Sequence, residues 1–172
     1  MIAFAVWITG LPASGKSSVT AALVPLLQSS GAIPVVLESD VLRKILTPQA
    51  RYTEEERDRF YQEMALLGEM LVRQGIPVIF DATANKRSYR DAARSLVPRF
   101  LEVHIDCPLE ICRTRDPKGI YARAAGDAIA NLPGIQAAYE RPLAAEVVAD
   151  CREAPSVVAS RIVNKLQELE YL

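Results

Sequence analysis

Gly10-Leu11-Pro12-Ala13-Ser14-Gly15-Lys16-Ser17 is the stretch that decides the fold. It follows the pattern G-x-x-x-x-G-K-[ST], a loop whose backbone wraps a polyphosphate. Gly10 and Gly15 let the chain turn tightly and approach an anion closely. The loop amides and the N-terminus of a following helix then face that anion. In such a loop Lys16 reaches the β- and γ-phosphates and the Ser17 hydroxyl ligates Mg2+. The flanks agree. The apolar run Ile2 to Ile8 predicts a buried strand before the loop. Ser17 to Leu27 predicts a helix after it, with Val19, Leu23 and Leu27 on one face. A chance match in a Gly/Ser turn is the alternative, and both flanks count against it.

The 172 residues suffice for one α/β domain, and half of them are hydrophobic, which excludes disorder as the default. A net charge of −1 argues against a broad basic face for nucleic acid. The N-terminal apolar run of about eight residues is too short for a membrane span or a signal peptide, so a cytoplasmic protein without a membrane partner is expected. Cys107, Cys112 and Cys151 are odd in number and lack C-x-x-C spacing. Buried free thiols are expected rather than a disulfide framework or a zinc site.

Outward from the loop, Ala32 to Leu37 predicts a second strand, ending in Glu38-Ser39-Asp40. Ligands of open parallel sheets lie at the carboxyl ends of strands, so Asp40 is placed to face the site. Val41 to Lys44 reads as a short helix. Thr53-Glu54-Glu55-Glu56 is a capping box. The helix it opens runs to about Gln74, with Phe60, Met64, Leu67 and Leu71 as its apolar stripe. Ile76 to Phe80 predicts a third strand, ending in Asp81-Ala82-Thr83-Ala84-Asn85. Asp81 is either a Walker-B-type acid for Mg2+ or a turn carboxylate. Arg87, Arg90 and Arg94 lie on one side of the next helix, as an anion-binding face or as a solvated one. Phe100 to Ile105 predicts a fourth strand, and its His104 fits a core histidine better than a catalytic one. Trp7 is a core residue by the same reasoning. Pro108 to Thr114 makes a short helix. Residues 115–142 are rich in Gly, Pro and charge and too long for an ordinary connection, so they read as a functional lid. Val147 to Ala149 is a fifth strand. Ser156 to Leu169 is a final amphipathic helix, with Val158, Ile162, Leu166 and Leu169 inward. Strands alternating with helices predict α/β architecture: a five-stranded parallel sheet with helices on both faces.

Several ordered segments together resemble the adenylylsulfate (APS) kinases. They are the loop itself, Leu37-Glu38-Ser39-Asp40-Val41-Leu42-Arg43, the stretch Phe100-x-Glu102-Val103-x-x-Asp106-x-Pro108-Leu109-Glu110, and above all the lid. The lid carries Arg115-Asp116-Pro117-Lys118-Gly119-x-Tyr121, Ala125-Gly126, Ile129, Gly134-Ile135 and Tyr139-Glu140-x-Pro142. The resemblance implies the P-loop kinase fold with a mobile lid, and transfer of the ATP γ-phosphate to the 3′-hydroxyl of APS, giving PAPS and ADP. It implies ATP and Mg2+ as cofactors, a small-molecule acceptor as partner and, since family members are often dimers, a homodimer.

Residue by residue, the resemblance places ATP on Gly10, Pro12, Ala13, Ser14, Gly15, Lys16, Ser17 and Ser18, with Arg115 over its base. Asp40 becomes the base or orienting group at the acceptor hydroxyl. Arg43, Arg57, Arg87 and Arg90 match acceptor-side arginines, and Lys118 matches the lid lysine that draws the two nucleotides together. Tyr52 stands where the family has a phenylalanine on the APS adenine. Metal contacts fall to Ser17 and Asp81. The chain also departs from the pattern. The family's D-G-D-N is Glu38-Ser39-Asp40-Val41, its N-I-R is Phe60-Tyr61-Gln62, its lid phenylalanine is Leu132, and its S-P-Y-R is Ala84-Asn85-Lys86-Arg87. The departures cluster on the acceptor side. The alternative reading is therefore a related phosphotransferase acting on another nucleotide conjugate or a small alcohol. A non-catalytic nucleotide-binding protein is a third reading, against which Lys16, Ser17, Asp40 and Lys118 speak.

Overall fold

The computed structural model describes residues 3–125 and 131–172. Ile2 of the first apolar run and Gly126 and Ile129 of the 115–142 segment lie outside the described residues. The elements run β1 (Ala5–Thr9), α1 (Lys16–Ser29), β2 (Val35–Glu38), α2 (Ser39–Leu46), α3 (Glu54–Arg73), β3 (Val78–Asp81) and α4 (Arg87–Leu96). They continue with β4 (Phe100–Asp106), α5 (Leu109–Arg115), α6 (Ile120–Ala125), β5 (Val147–Asp150) and α7 (Pro155–Glu168). The strands form one five-stranded sheet in the order β2-β3-β1-β4-β5, every pairing parallel.

The central strand shows why the chain folds this way. All five residues of β1 are buried, as a strand covered on both faces requires. Side chains alternate across the pleat. Val6 and Ile8 join Leu23 and Leu27 of α1 and Ile162 and Leu166 of α7 in one core. Ala5 and Trp7 join Phe60 and Met64 of α3, Phe80 of β3 and Tyr89 of α4 in the other. Trp7 stacks on Phe80 at 4.5 Å and donates its indole N–H to the Ala82 carbonyl at 3.2 Å. Fully burying one such large side chain is worth about 1.5–3 kcal/mol.

α3 begins at the expected capping box, but the box is slipped. The Thr53 hydroxyl accepts the Glu56 amide at 3.2 Å, whereas the Glu56 carboxylate takes the Arg51 and Tyr52 amides at 2.8 and 3.3 Å. Glu56 thereby ties down the chain entering the helix. The buried face of α3 also includes Arg57, Tyr61 and Gly68, while Leu67 and Leu71 are only partly buried. Gly68 is there because α3 lies directly on Phe80. A Cβ at this position would sit 2.1 Å from the ring.

The three cysteines are free and buried, and burial pushes their thiols upward in pKa. Among the described residues no helix is long and apolar enough to cross a membrane.

Candidate active site

Everything the sequence placed at strand ends meets at one edge of the sheet. Gly10 follows β1, Asp40 lies just beyond β2, and Asp81 closes β3. The phosphate loop is fixed by contacts only its own residues allow. A Cβ on Gly10 would lie 2.7 Å from both the Ile105 carbonyl and Ser14 Oγ, so glycine is required. Ala13 takes a left-handed φ of 61°, and the Ser14 amide closes onto the Leu11 carbonyl at 3.1 Å. Gly15 then delivers the chain into α1 with no side-chain cap at its N-terminus. The first amides of α1 stay free for an anion.

Lys16 is buried, and its Nζ donates to the carbonyls of Gly10 at 3.1 Å and Leu11 at 2.9 Å. Burial lowers its pKa, against the opposing pull of Asp81 and Asp40. A cation held in a tight loop by two neutral carbonyls is under-compensated, and a phosphate supplies the missing charge. Ser17 and Ser18 are exposed on the first turn of α1. Asp81 is buried, and its Oδ2 accepts the Thr20 hydroxyl at 3.2 Å. Among the described residues no group of three or more His, Cys, Asp or Glu side chains could enclose a metal. The Ser17 hydroxyl and the Asp81 carboxylate are hard oxygen donors. That sparse set suits Mg2+, which keeps water and substrate phosphates as its other ligands.

Across the loop, Asp40 sits in the first turn of α2, and Lys118 reaches it from beyond α5. Lys118 Nζ lies 2.5 Å from Asp40 Oδ2 and 3.9 Å from Glu38 Oε1. Its bond to Asp40 raises the Lys118 pKa. Asp116 supports this position by accepting the Ile120 amide at 2.7 Å and the Ala122 amide at 3.0 Å. The Tyr121 hydroxyl donates to the Pro12 carbonyl at 2.9 Å, and Leu132 is buried. Tyr121 therefore ties the start of the 115–142 segment to the phosphate loop. Arg115 joins the loop to the end of β5, donating to the Ser14 carbonyl at 3.4 Å and the Cys151 carbonyl at 2.9 Å.

A family model described as adenylylsulphate kinase matches residues 2–150. This chain belongs to the adenylylsulphate kinase family. It is 35% identical over 170 residues to the adenylyl-sulfate kinase of Rippkaea orientalis, covering 97% of this chain and 93% of that one. It is 37% identical over 151 residues to the adenylyl-sulfate kinase of Paraburkholderia xenovorans, covering 87% and 84%. Among solved structures it is similar to the APS kinase of Mycobacterium tuberculosis in complex with AMPPNP and APS. There the TM-score is 0.90 at 30% identity, covering 96% of this chain and 98% of that chain.

Within this adenylylsulphate kinase framework the arginines divide. Arg43 lies over aromatic rings beside Asp40 on α2. Arg57 is buried and already engaged, through Nη1 to Asn85 Oδ1 at 3.3 Å and through Nη2 to the Asn131 carbonyl at 2.7 Å. Arg90 is 1% exposed. Its Nε donates to Glu102 at 2.6 Å, Nη2 to the Glu140 carbonyl at 2.7 Å, and Nη1 to the Ala84 carbonyl. Arg94 pairs with Glu146 at 2.7 Å. Arg87 is half-buried, its amide donating to Glu140 at 2.8 Å and its Nη1 to the Arg141 carbonyl at 3.3 Å. Arg87 and Arg90 thus hold the segment around Glu140 against the β3–α4 connection; Arg90 is closed to solvent, while Arg94 is partly exposed and paired with Glu146 and Glu102. Tyr52 is exposed, with a left-handed φ of 56°. His104 is buried, with its ring 6.0 Å from Tyr139, and burial lowers its pKa.

Three residues of this framework escape the sequence reading. Thr20 fixes Asp81, Asn85 joins Arg57 to the Ala138 carbonyl at 3.0 Å, and Glu102 balances Arg90. Only Glu102 carries a usable signal: a lone carboxylate in the middle of an apolar strand requires a buried partner.

Proposed function

We propose that this chain is an ATP-dependent kinase that phosphorylates the 3′-hydroxyl of adenosine 5′-phosphosulfate, giving PAPS and ADP. The observation that carries the reading is the meeting of two parts. A phosphate loop with a buried, under-compensated lysine faces a carboxylate on α2, and a lysine of the 115–142 segment bridges to that carboxylate. A protein that only binds a nucleotide has no use for the second part.

On this reading the ATP phosphates replace the Gly10 and Leu11 carbonyls as partners of Lys16 and take the free amides at the start of α1. Ser17 and Asp81 are the residues that would hold Mg2+. Bound there, Mg2+ neutralises charge on the β- and γ-phosphates. Asp40 accepts the proton of the acceptor hydroxyl as its oxygen forms the new bond to the γ-phosphorus and the bond to the bridging β–γ oxygen breaks. ADP leaves with that oxygen. Lys118 and Lys16 face the charge spreading over the transferring group, where preorganised cations are most effective. Residues 115–142 act as the lid, with Lys118 as its contact to both sides and Arg115 beside the base of ATP. Arg43 and Tyr52 form the acceptor side.

The Asp40→Asn variant tests the base. It keeps the shape and removes the proton acceptor, so kcat falls about 100-fold or more while the KM for ATP changes little. Steady-state ADP release with APS reads both. Near-normal turnover in Asp40→Asn removes the assignment. Efficient turnover of another hydroxyl compound, with APS inert, moves the chain to the related-acceptor reading that Phe60-Tyr61-Gln62 favours.

A further inference from the structure

Arg43 is held by rings rather than by oxygens. Its guanidinium carbon lies 3.9 Å from the centroid of the Phe60 ring, with Tyr52 at 5.1 Å and Tyr61 at 5.9 Å. Glu56 stays 3.9 Å away, because its carboxylate is occupied by the Arg51 and Tyr52 amides. Arg43 Nη1 is buried with no hydrogen-bond partner. Aromatic faces offset the charge of a guanidinium, but they leave its in-plane N–H donors unsatisfied. An unpaired buried donor on a charged group is costly, so it persists where a ligand completes it.

Phe60 is a rigid platform. It is fully buried in the α3 core and meets Tyr61 edge-on, centroids 5.3 Å apart. Tyr61 is itself fixed, its hydroxyl accepting the Ala84 amide at 3.0 Å. Arg43 and Asp40 stand three residues apart on α2, on one side of that helix. Phe60 replaces the asparagine of the family's N-I-R pattern, and Arg57, the neighbouring acceptor-side arginine, is engaged by Asn85 and Asn131.

We infer that Phe60 is a positioning residue for the acceptor, acting through Arg43. Its ring sets the guanidinium plane, so that the unpartnered Nη1 donors take a tetrahedral oxyanion, a phosphate or sulfate group of the acceptor, beside Asp40. This rests on the acceptor site proposed above.

The test is a double-mutant cycle read as KM against kcat. Phe60→Leu raises the KM for APS about tenfold and leaves the KM for ATP within about twofold. Arg43→Ala raises the KM for APS further. The double variant matches Arg43→Ala alone, because Phe60 has nothing left to position. A merely structural role gives additive effects and moves the KM for ATP as well.

A second measurement does not depend on turnover. Inorganic sulfate is titrated into Mg-ADP-loaded protein, and the Arg43 Nε–H resonance, assigned by its loss in Arg43→Lys, is followed. Saturable binding in the wild type and binding about tenfold weaker in Phe60→Leu support the inference. If APS is not turned over by the wild type but sulfate behaves in this way, the APS reading falls and the role of Phe60 stands. Additive effects in the cycle, or equal sulfate titration in both proteins, overturn it.

Discussion

Lys16→Ala lowers kcat about 100- to 1,000-fold and leaves the protein folded, with a thermal midpoint equal to or above that of the wild type. The first half follows from position. Lys16 is the buried cation of the phosphate loop, and removing one preorganised donor from a transferring group costs about that factor. The second half follows from the sign of its pKa shift. Burial lowers the Lys16 pKa, which means that the folded protein disfavours the charged form relative to the unfolded chain. Below the lowered pKa the charge therefore works against folding. That cost disappears in Lys16→Ala, as expected where function is bought with stability. Lys16→Arg does not rescue activity, because the loop encloses a compact ammonium and a planar fork does not fit the two carbonyls at 3.1 and 2.9 Å. Steady-state ADP release and a thermal melt on the same preparation check both halves. Activity within tenfold of the wild type, or a large loss of stability, contradicts the account.

Arg90→Ala acts in the opposite sense. It costs about 3 kcal/mol of folding stability, the lower end of the range for breaking a buried ion pair. The loss stays at the lower end because Arg94 remains 3.5 Å from Glu102 and shares its charge. Four bonds are lost at once: to Glu102, to the Ala84 and Lys86 carbonyls, and to the Glu140 carbonyl that anchors the end of the 115–142 segment. Glu102 then stays buried against β1 and β4 with a weaker partner. Urea unfolding with an unchanged m-value reads the effect. A second variant separates charge from geometry. Arg90→Met with Glu102→Gln recovers part of the loss, because no buried carboxylate remains, while the Ala84 and Glu140 carbonyls still lack the donor Arg90 supplied. A loss below about 1 kcal/mol in Arg90→Ala would mean that the pair is not a brace of the fold.

The sequence is most legible where one local pattern has one physical meaning. The phosphate loop, with its strand before and helix after, fixes β1, α1 and the position of Lys16. Uniformly apolar runs mark the buried parallel strands, and Thr53 with Glu56 marks the start of α3. The family is legible from the ordered lid residues around Asp116, Lys118 and Tyr139.

The roles of the arginines are less legible. Arg57, Arg87 and Arg90 share the spacing and charge of anion ligands. Whether a guanidinium meets a substrate or a carbonyl depends on contacts across the fold. Arg90 meets Glu140, fifty residues on, and Arg57 meets Asn131, seventy-four residues on. No periodicity records such pairings. The apolar stripe of α3 shows the complementary limit. Helical spacing picks out Leu67 and Leu71, yet the seam runs over Gly68, because α3 presses directly on Phe80. A glycine gives no hydrophobic signal. Tyr52 and Phe60 read as an adenine platform and a core residue. Only the structure places them around Arg43.

The measurement that bears most directly on the central claim is the product of the wild-type protein supplied with Mg-ATP and APS, identified by mass and by the position of the new phosphate. The account predicts stoichiometric ADP and a nucleotide carrying the γ-phosphate on its 3′-oxygen, with a KM for APS in the micromolar range typical of a working acceptor site. ADP formed only when some other hydroxyl compound is present, with APS recovered intact, would contradict it.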